Sequence, residues 1–134
     1  MNCYSADYNE MMNWTSAEES CKQKGAHLTS IHSIEENEFL LKNLTTIEHV
    51  APHVFIGGVR ANAWNDGTYF RYANWRGQPR DPSCDYYTTC IAFDPIGYWI
   101  VNPCNEQFNY ICKKSRQGNY MVYLSFRKIH DVKA

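Results

Sequence analysis

The apolar positions of this chain follow two spacings, and the change comes near its middle. Trp14, Ala17 and Cys21 recur three and four residues apart, which places them on one face of a helix. Thr15-Ser16-Ala17-Glu18 sets a hydroxyl three residues ahead of a Glu, a capping box that predicts the helix start, and Gly25 predicts its end. Ser33-Ile34-Glu35-Glu36 repeats the pattern and opens a second helix. Phe39 and Leu40 lie on its apolar face, with Lys42-Asn43 near its end. Cys3-Tyr4 through Tyr8 reads as a short strand, and Leu28 with Ile31 as a brief extended stretch between the helices.

From Val54 onward the apolar residues form short runs instead. Val54-Phe55-Ile56, closed by Gly57-Gly58, reads as a buried strand, and Trp64-Asn65-Asp66-Gly67-Thr68 as a turn around Asp-Gly. Tyr69 to Trp75 predicts an edge strand. Cys90 to Phe93, Tyr98 to Val101 and Phe108 to Cys112 predict three more, separated by Pro and Gly. Helices first and strands afterwards make the class α+β, two short helices with small antiparallel sheets. There is no internal repeat. Lys113 to Gly118 reads as a polar linker. Tyr120-Met-Val-Tyr-Leu-Ser-Phe126 alternates as a strand would, so residues 114–134 are left as an extra edge strand, an interface segment or a disordered end.

Composition narrows the function. The 134 residues suit one domain with a real core. A net charge of −1 with no basic run argues against a nucleic-acid partner. Ten Tyr and four Trp favour a strand-rich binding protein. Six Cys in a chain this size point to disulfides and an oxidising, extracellular setting. No apolar run is long enough to span a membrane. Met1-Asn-Cys-Tyr has neither the basic start nor the apolar stretch of a leader, so the expectation is a secreted chain whose leader has been removed. Asn13-Trp-Thr15 and Asn43-Leu-Thr45 are glycosylation sequons that fit secretion. His27, His32, His49, His53 and His130 are scattered, which reads as surface histidines. With no nucleophile–base constellation either, catalysis is not expected.

The ordered signals resemble one family. Cys3-Tyr4, Asn13-Trp14 with Ala17 and Cys21, Gly25-Ala-His-Leu28, Ile31-His-Ser33 and Glu36 resemble the front half of a C-type lectin-like domain. Phe55-Ile-Gly57 looks like that family's Trp-Ile-Gly strand, and Trp64-Asn-Asp-Gly67 like its Trp-x-Asp-Gly turn. Asn74-Trp75, Gly77-Gln-Pro79, Cys90, Trp99, Cys104 and Tyr110-Ile-Cys112 follow in order. The resemblance covers residues 3–113. It implies a long ligand loop stapled by disulfides, with Cys21 paired to Cys112 and Cys90 to Cys104. Cys3 lacks the extra nearby cysteine that pairs with it in long-form members. Cys84 has no counterpart: it is free, pairs with Cys3, or joins a second chain as a disulfide-linked dimer.

Sugar-binding members hold one Ca²⁺ through a Glu-Pro-Asn or Gln-Pro-Asp triplet, a nearby Glu, and an Asn-Asp pair directly after a Trp. Ca²⁺ takes six to eight oxygen ligands. This chain reads Gln78-Pro79-Arg80-Asp81, so Arg80 stands at a ligand position, and a guanidinium cannot bind a cation. Trp99 is followed by Ile100-Val101 instead of Asn-Asp. The Asn65-Asp66 pair belongs to the earlier turn. Gln78, Asp81 and Asp85 remain as weak metal candidates, too few for a family-type site, so neither calcium nor any other cofactor is expected. Two kinds of binding module remain. One recognises glycans, with Tyr86 or Tyr87 stacking on a sugar and Arg80 facing an acidic group. The alternative recognises a cell-surface or secreted glycoprotein through protein contacts without calcium.

Overall fold

Both helices begin where a short polar side chain takes a backbone N–H left free by the first turn. The computed structural model describes residues 2–6, 10–44, 53–60, 63–77 and 89–115. Helix α1 spans Trp14–Gln23, and its cap is Asn13, whose Oδ1 accepts from the Ser16 N–H at 2.9 Å. This corrects the capping box drawn on Thr15. Starting one residue earlier carries the Trp14 indole into the core, where Nε1 donates to the Ile56 carbonyl at 2.9 Å. Glu18 is buried instead of capping. One of its oxygens accepts from the Leu28 N–H at 3.1 Å and the other lies 2.6 Å from His27 Nδ1. Helix α2, Ile34–Leu44, starts as its pattern predicts: Ser33 Oγ accepts from the Glu36 N–H at 3.1 Å.

The strands are β1 (Asn2–Ala6), β2 (His27–Leu28), β3 (Val54–Phe55), β4 (Gly58–Arg60), β5 (Ala63–Trp64), β6 (Thr89–Phe93), β7 (Trp99–Pro103) and β8 (Asn109–Ser115). The main sheet runs β1-β8-β3-β6-β7, with β2 also on β8, while β4 and β5 form a separate hairpin. β3 lies parallel to β8, so the sheet is mixed and not purely antiparallel as expected. These strands are distant in sequence, and no tight hairpin dictates their direction. β8 runs on through Lys114 and Ser115, where the polar residues suggest a linker. β1 pairs with it up to Asn2↔Ser115, and ladder hydrogen bonds hold a strand whatever its side chains. Tyr69 to Trp75 forms no strand; it makes single bridges at Tyr69 and Trp75. Residues 116–134 lie outside the described residues.

Apolar side chains cover both faces of the sheet. One cluster includes Trp14, Leu28, Phe55 and Tyr110; the other includes Tyr4, Ile31, Leu40, Phe93 and Trp99. Gly57 passes close against another stretch of backbone: a Cβ there would run into the Leu28 carbonyl. Disulfides join Cys21 of α1 to Cys112 of β8 and Cys90 of β6 to Cys104 just past β7, as the resemblance implies. In the chain-entropy model such closures are worth about 3–5 kcal/mol each. Cys3 is buried and unbonded, and Cys84 lies outside the described residues. No helix among the described residues is long and apolar enough to cross a membrane.

A buried polar network ties the second cluster together. Glu36 Oε1 accepts from Lys113 Nζ at 2.6 Å and from the Tyr4 hydroxyl at 2.7 Å, and Oε2 accepts from the His32 N–H at 3.0 Å. Lys113 also donates to Ser30 Oγ at 3.1 Å, and the Ser30 hydroxyl donates to Asp66. Removing one partner of such a buried pair costs about 3–5 kcal/mol, because the other charge is then left uncompensated. His32 is no surface histidine: its Nδ1 is shielded without a partner and its ring stands edge-on to Trp64. Burial, then nearby Lys113, lowers its pKa from the ordinary 6.5. Burial alone would raise the Asp66 pKa, but hydrogen bonds from Ser30 and Thr68 bring it below the usual 3.8. Tyr4 is pushed well above 10.0 by burial and by Glu36.

Two predictions follow from these contacts. Asn13→Ala should cost about 1 kcal/mol in urea unfolding, the usual loss for a helix cap, while Thr15→Ala should cost far less. The pH profile should have two falling limbs. The unfolded chain protonates His32 near pH 6.5 and Asp66 near 3.8 while the folded chain resists both, so stability falls as pH drops through these values. Tyr4 works the other way: its contribution is complete below pH 10.0 and is lost as pH rises past it. Thermal midpoints should therefore be flat from about pH 7 to 9.5. The loss between pH 6.5 and 5 should shrink in His32→Asn.

Candidate functional site

β7 is the last strand of the sheet, and the segments that bracket residues 78–88 are fastened at its two ends. On one side the Arg76 N–H donates to the Trp99 carbonyl at 3.0 Å and the Trp99 N–H donates to the Asn74 carbonyl at 2.8 Å. On the other, Thr89 pairs with Pro103, and the Cys90–Cys104 disulfide locks that end. Trp99 and Pro103 are four strand steps apart, about 13 Å at 3.3 Å per residue. Ile100, Val101 and Asn102 lie between the anchors.

The first anchor is built around Trp99, which is fully buried. Its indole N–H donates to Asn37 Oδ1 of α2 at 2.8 Å. Trp64, Phe70, Tyr72 and Trp75 surround the ring with centroids 5.1 to 5.9 Å away. Asn37 and Asn74 both donate to the Gly97 carbonyl, at 2.9 and 2.7 Å. Gly97 has φ 91°, and a Cβ there would press on Leu41 and Asn37, so glycine lets the β6–β7 turn settle on α2. Beside it the fully buried Asp94 carboxylate accepts from the Ile96 and Tyr98 N–H groups at 2.9 and 3.0 Å. Its other oxygen accepts from Arg76 at 3.3 Å. The Arg76 side chain is 63% exposed, so it is tethered at one edge and open to solvent elsewhere.

The sequence-derived candidates Gln78, Arg80, Asp81, Asp85, Tyr86 and Tyr87 all lie outside the described residues, as do Pro79 and Cys84. The second half of the expected calcium site is described, and it does not fit the ion. Ile100 is half-buried against the first core cluster, and Val101 is half-buried on the opposite face; neither has a side-chain oxygen. Among the described residues Asn102 Nδ2 is shielded without a partner, and the single side-chain oxygen of this amide falls far short of the six to eight that Ca²⁺ takes. Among the described residues no cluster of three His, Cys, Asp or Glu could hold a metal. Asp66 serves its own turn, accepting from the Thr68 N–H at 3.0 Å, as the reading of Asn65-Asp66 expects. The sequence reading missed Arg76 and Asp94. The signal available was Asp94-Pro95-Ile96-Gly97, a turn sequence whose leading Asp accepts backbone N–H groups.

The chain is similar to known proteins. The family model described as "Lectin C-type domain" matches residues 10–114. A lectin from Pleurodeles waltl is 34% identical over 116 residues, covering 80% of this chain and 67% of its own length. The human secretory phospholipase A2 receptor is 34% identical over 121 residues, 84% of this chain, which spans only 8% of that receptor. The herring type II antifreeze protein superposes with a TM-score of 0.70 at 31% identity, covering 87% of this chain and 92% of its own. A calcium-independent type II antifreeze protein gives 0.68 at 30%, covering 85% and 86%. The mouse scavenger receptor C-type lectin carbohydrate-recognition domain gives 0.71 at 27%, covering 89% and 92%. With the two disulfides and the α+β architecture, the match to the family model shows that the chain belongs to the C-type lectin domain family.

Proposed function

We propose that this chain is an extracellular binding module that recognises glycans bearing an acidic group, without a family-type calcium site and without catalysis. One observation carries the reading: between the two anchors β7 presents Ile100 and Val101, which have no side-chain oxygen to offer a metal. Binding then rests on side chains, and Arg76 is the cation at the first anchor. A guanidinium held at one edge by Asp94 keeps N–H donors for a carboxylate or sulfate. Arg80 would extend that charge, and Tyr86 or Tyr87 would stack on the sugar ring. The fold accommodates both chemistries, since its relatives include a carbohydrate-recognition domain and a calcium-independent antifreeze protein. The alternative is calcium-free recognition of a protein, favoured by Ile96 and Tyr98 exposed on the β6–β7 turn. A free Cys84 would add a covalent dimer to either.

Calorimetry should detect no Ca²⁺ binding below millimolar concentration. Arg80→Asp with Ile100→Asn and Val101→Asp should introduce affinity, whereas Arg80→Asp alone should not. Micromolar affinity in the unchanged chain, lost in Gln78→Ala, would overturn the reading. An array of sulfated and sialylated glycans should give binding that resists chelator. Arg76→Ala should weaken it about tenfold, the ~1.4 kcal/mol of one charge-assisted hydrogen bond. Binding only to unglycosylated protein would favour the alternative.

A further inference from the structure

The two sequons stand in different surroundings, and we propose that Asn43 carries an N-linked oligosaccharide while Asn13 stays unmodified. Asn13 is half-buried at the start of α1, and the backbone on both sides of it is pinned to the far end of the chain. Met12 exchanges backbone hydrogen bonds with Phe108 at 3.0 and 3.1 Å, and the Trp14 N–H donates to the Cys104 carbonyl at 3.1 Å. Trp14, the middle residue of that sequon, is buried with its indole tied to Ile56. A sugar on Asn13 would have to emerge beside the segment that carries Cys104 and Phe108. The cap itself is not the obstacle, since it uses Oδ1 and the sugar would sit on Nδ2.

Asn43 is exposed in the last turn of α2. Its Nδ2 makes one bond, donating to the Phe39 carbonyl at 2.9 Å. In the transfer the amide nitrogen bonds to C1 of a lipid-diphosphate-linked oligosaccharide, the diphosphate leaves, and one amide proton goes to a base of the transferase. Nδ2 keeps one N–H, which is enough for the bond to Phe39, so the folded chain accepts the modification without loss at that end. Asn43 therefore remains open after folding, whereas Asn13 is closed by its neighbours.

The test is to secrete the chain from a eukaryotic host behind a leader and map glycopeptides. Each sequon is removed through its threonine, Thr15→Ala or Thr45→Ala, so both asparagines and the α1 cap remain. The unchanged chain should carry one oligosaccharide. Amidase release in heavy-oxygen water should label residue 43 and leave 13 unlabelled. Thr15→Ala should not alter occupancy, and Thr45→Ala should abolish it while both disulfides still form. An oligosaccharide on Asn13, an unmodified wild-type chain, or one retained in Thr45→Ala would overturn the assignment. The readout does not involve ligand, so it stands apart from the glycan-recognition test.

Discussion

The packing of Trp99 is the constraint on which the rest of this structure depends. Its ring is dry, its indole N–H is held by Asn37, and its backbone N–H and carbonyl are held by residues 74 and 76. Four aromatic rings close around it. One residue thus joins α2, the β6–β7 hairpin, the Trp64 turn and the stretch from Asn74 to Arg76. A buried donor left without its acceptor would cost about 1–3 kcal/mol, so Asn37 is as necessary as the ring. The aromatic residues at 70, 72 and 75 look like strand material but serve as packing around this indole.

The second constraint is polar. Lys113 of β8 reaches Glu36 of α2, and Ser30 passes the contact to Asp66 in the Trp64 turn. Helix α2, β1, β8 and the Trp64 turn are therefore coupled by hydrogen bonds as well as by apolar contact. Partly satisfied, such a network would be a liability, because unpaired polar groups are costly at low dielectric. The exposed position of Arg76 contrasts with this. Its partner Asp94 is buried and is satisfied by two backbone N–H groups, so the guanidinium is held at one edge and is otherwise open to solvent.

β7 shows how a strand can keep its place while its side chains differ. Strand pairing with β6 is indifferent to side chains, so Ile100 and Val101 occupy a strand where the sugar-binding members of the family place donors. The disulfide and Trp99 keep the anchors in place regardless. What differs is the side chains between them, which here are Ile100 and Val101.

Much was legible in the residues themselves. Both helices follow from apolar spacing, α2 down to its Ser33 cap, and the order of Trp, Gly and Cys positions pointed to the family and its two disulfides. That Ile100 and Val101 stand where an Asn-Asp pair was expected could be read directly, because neither side chain has an oxygen in any conformation. Other features needed the tertiary structure. Asn13 displaces Thr15 as a cap because Trp14 must enter the core. The run from Tyr69 to Trp75 abandons the strand form because Trp99 takes both its rings and its backbone groups. Lys113 and Lys114 enter a strand because β1 pairs with them, and the half-buried His32 ring stands against Trp64, far from it in sequence. Local chemistry decides what a residue can do; only the contacts between distant segments decide whether its surroundings let it.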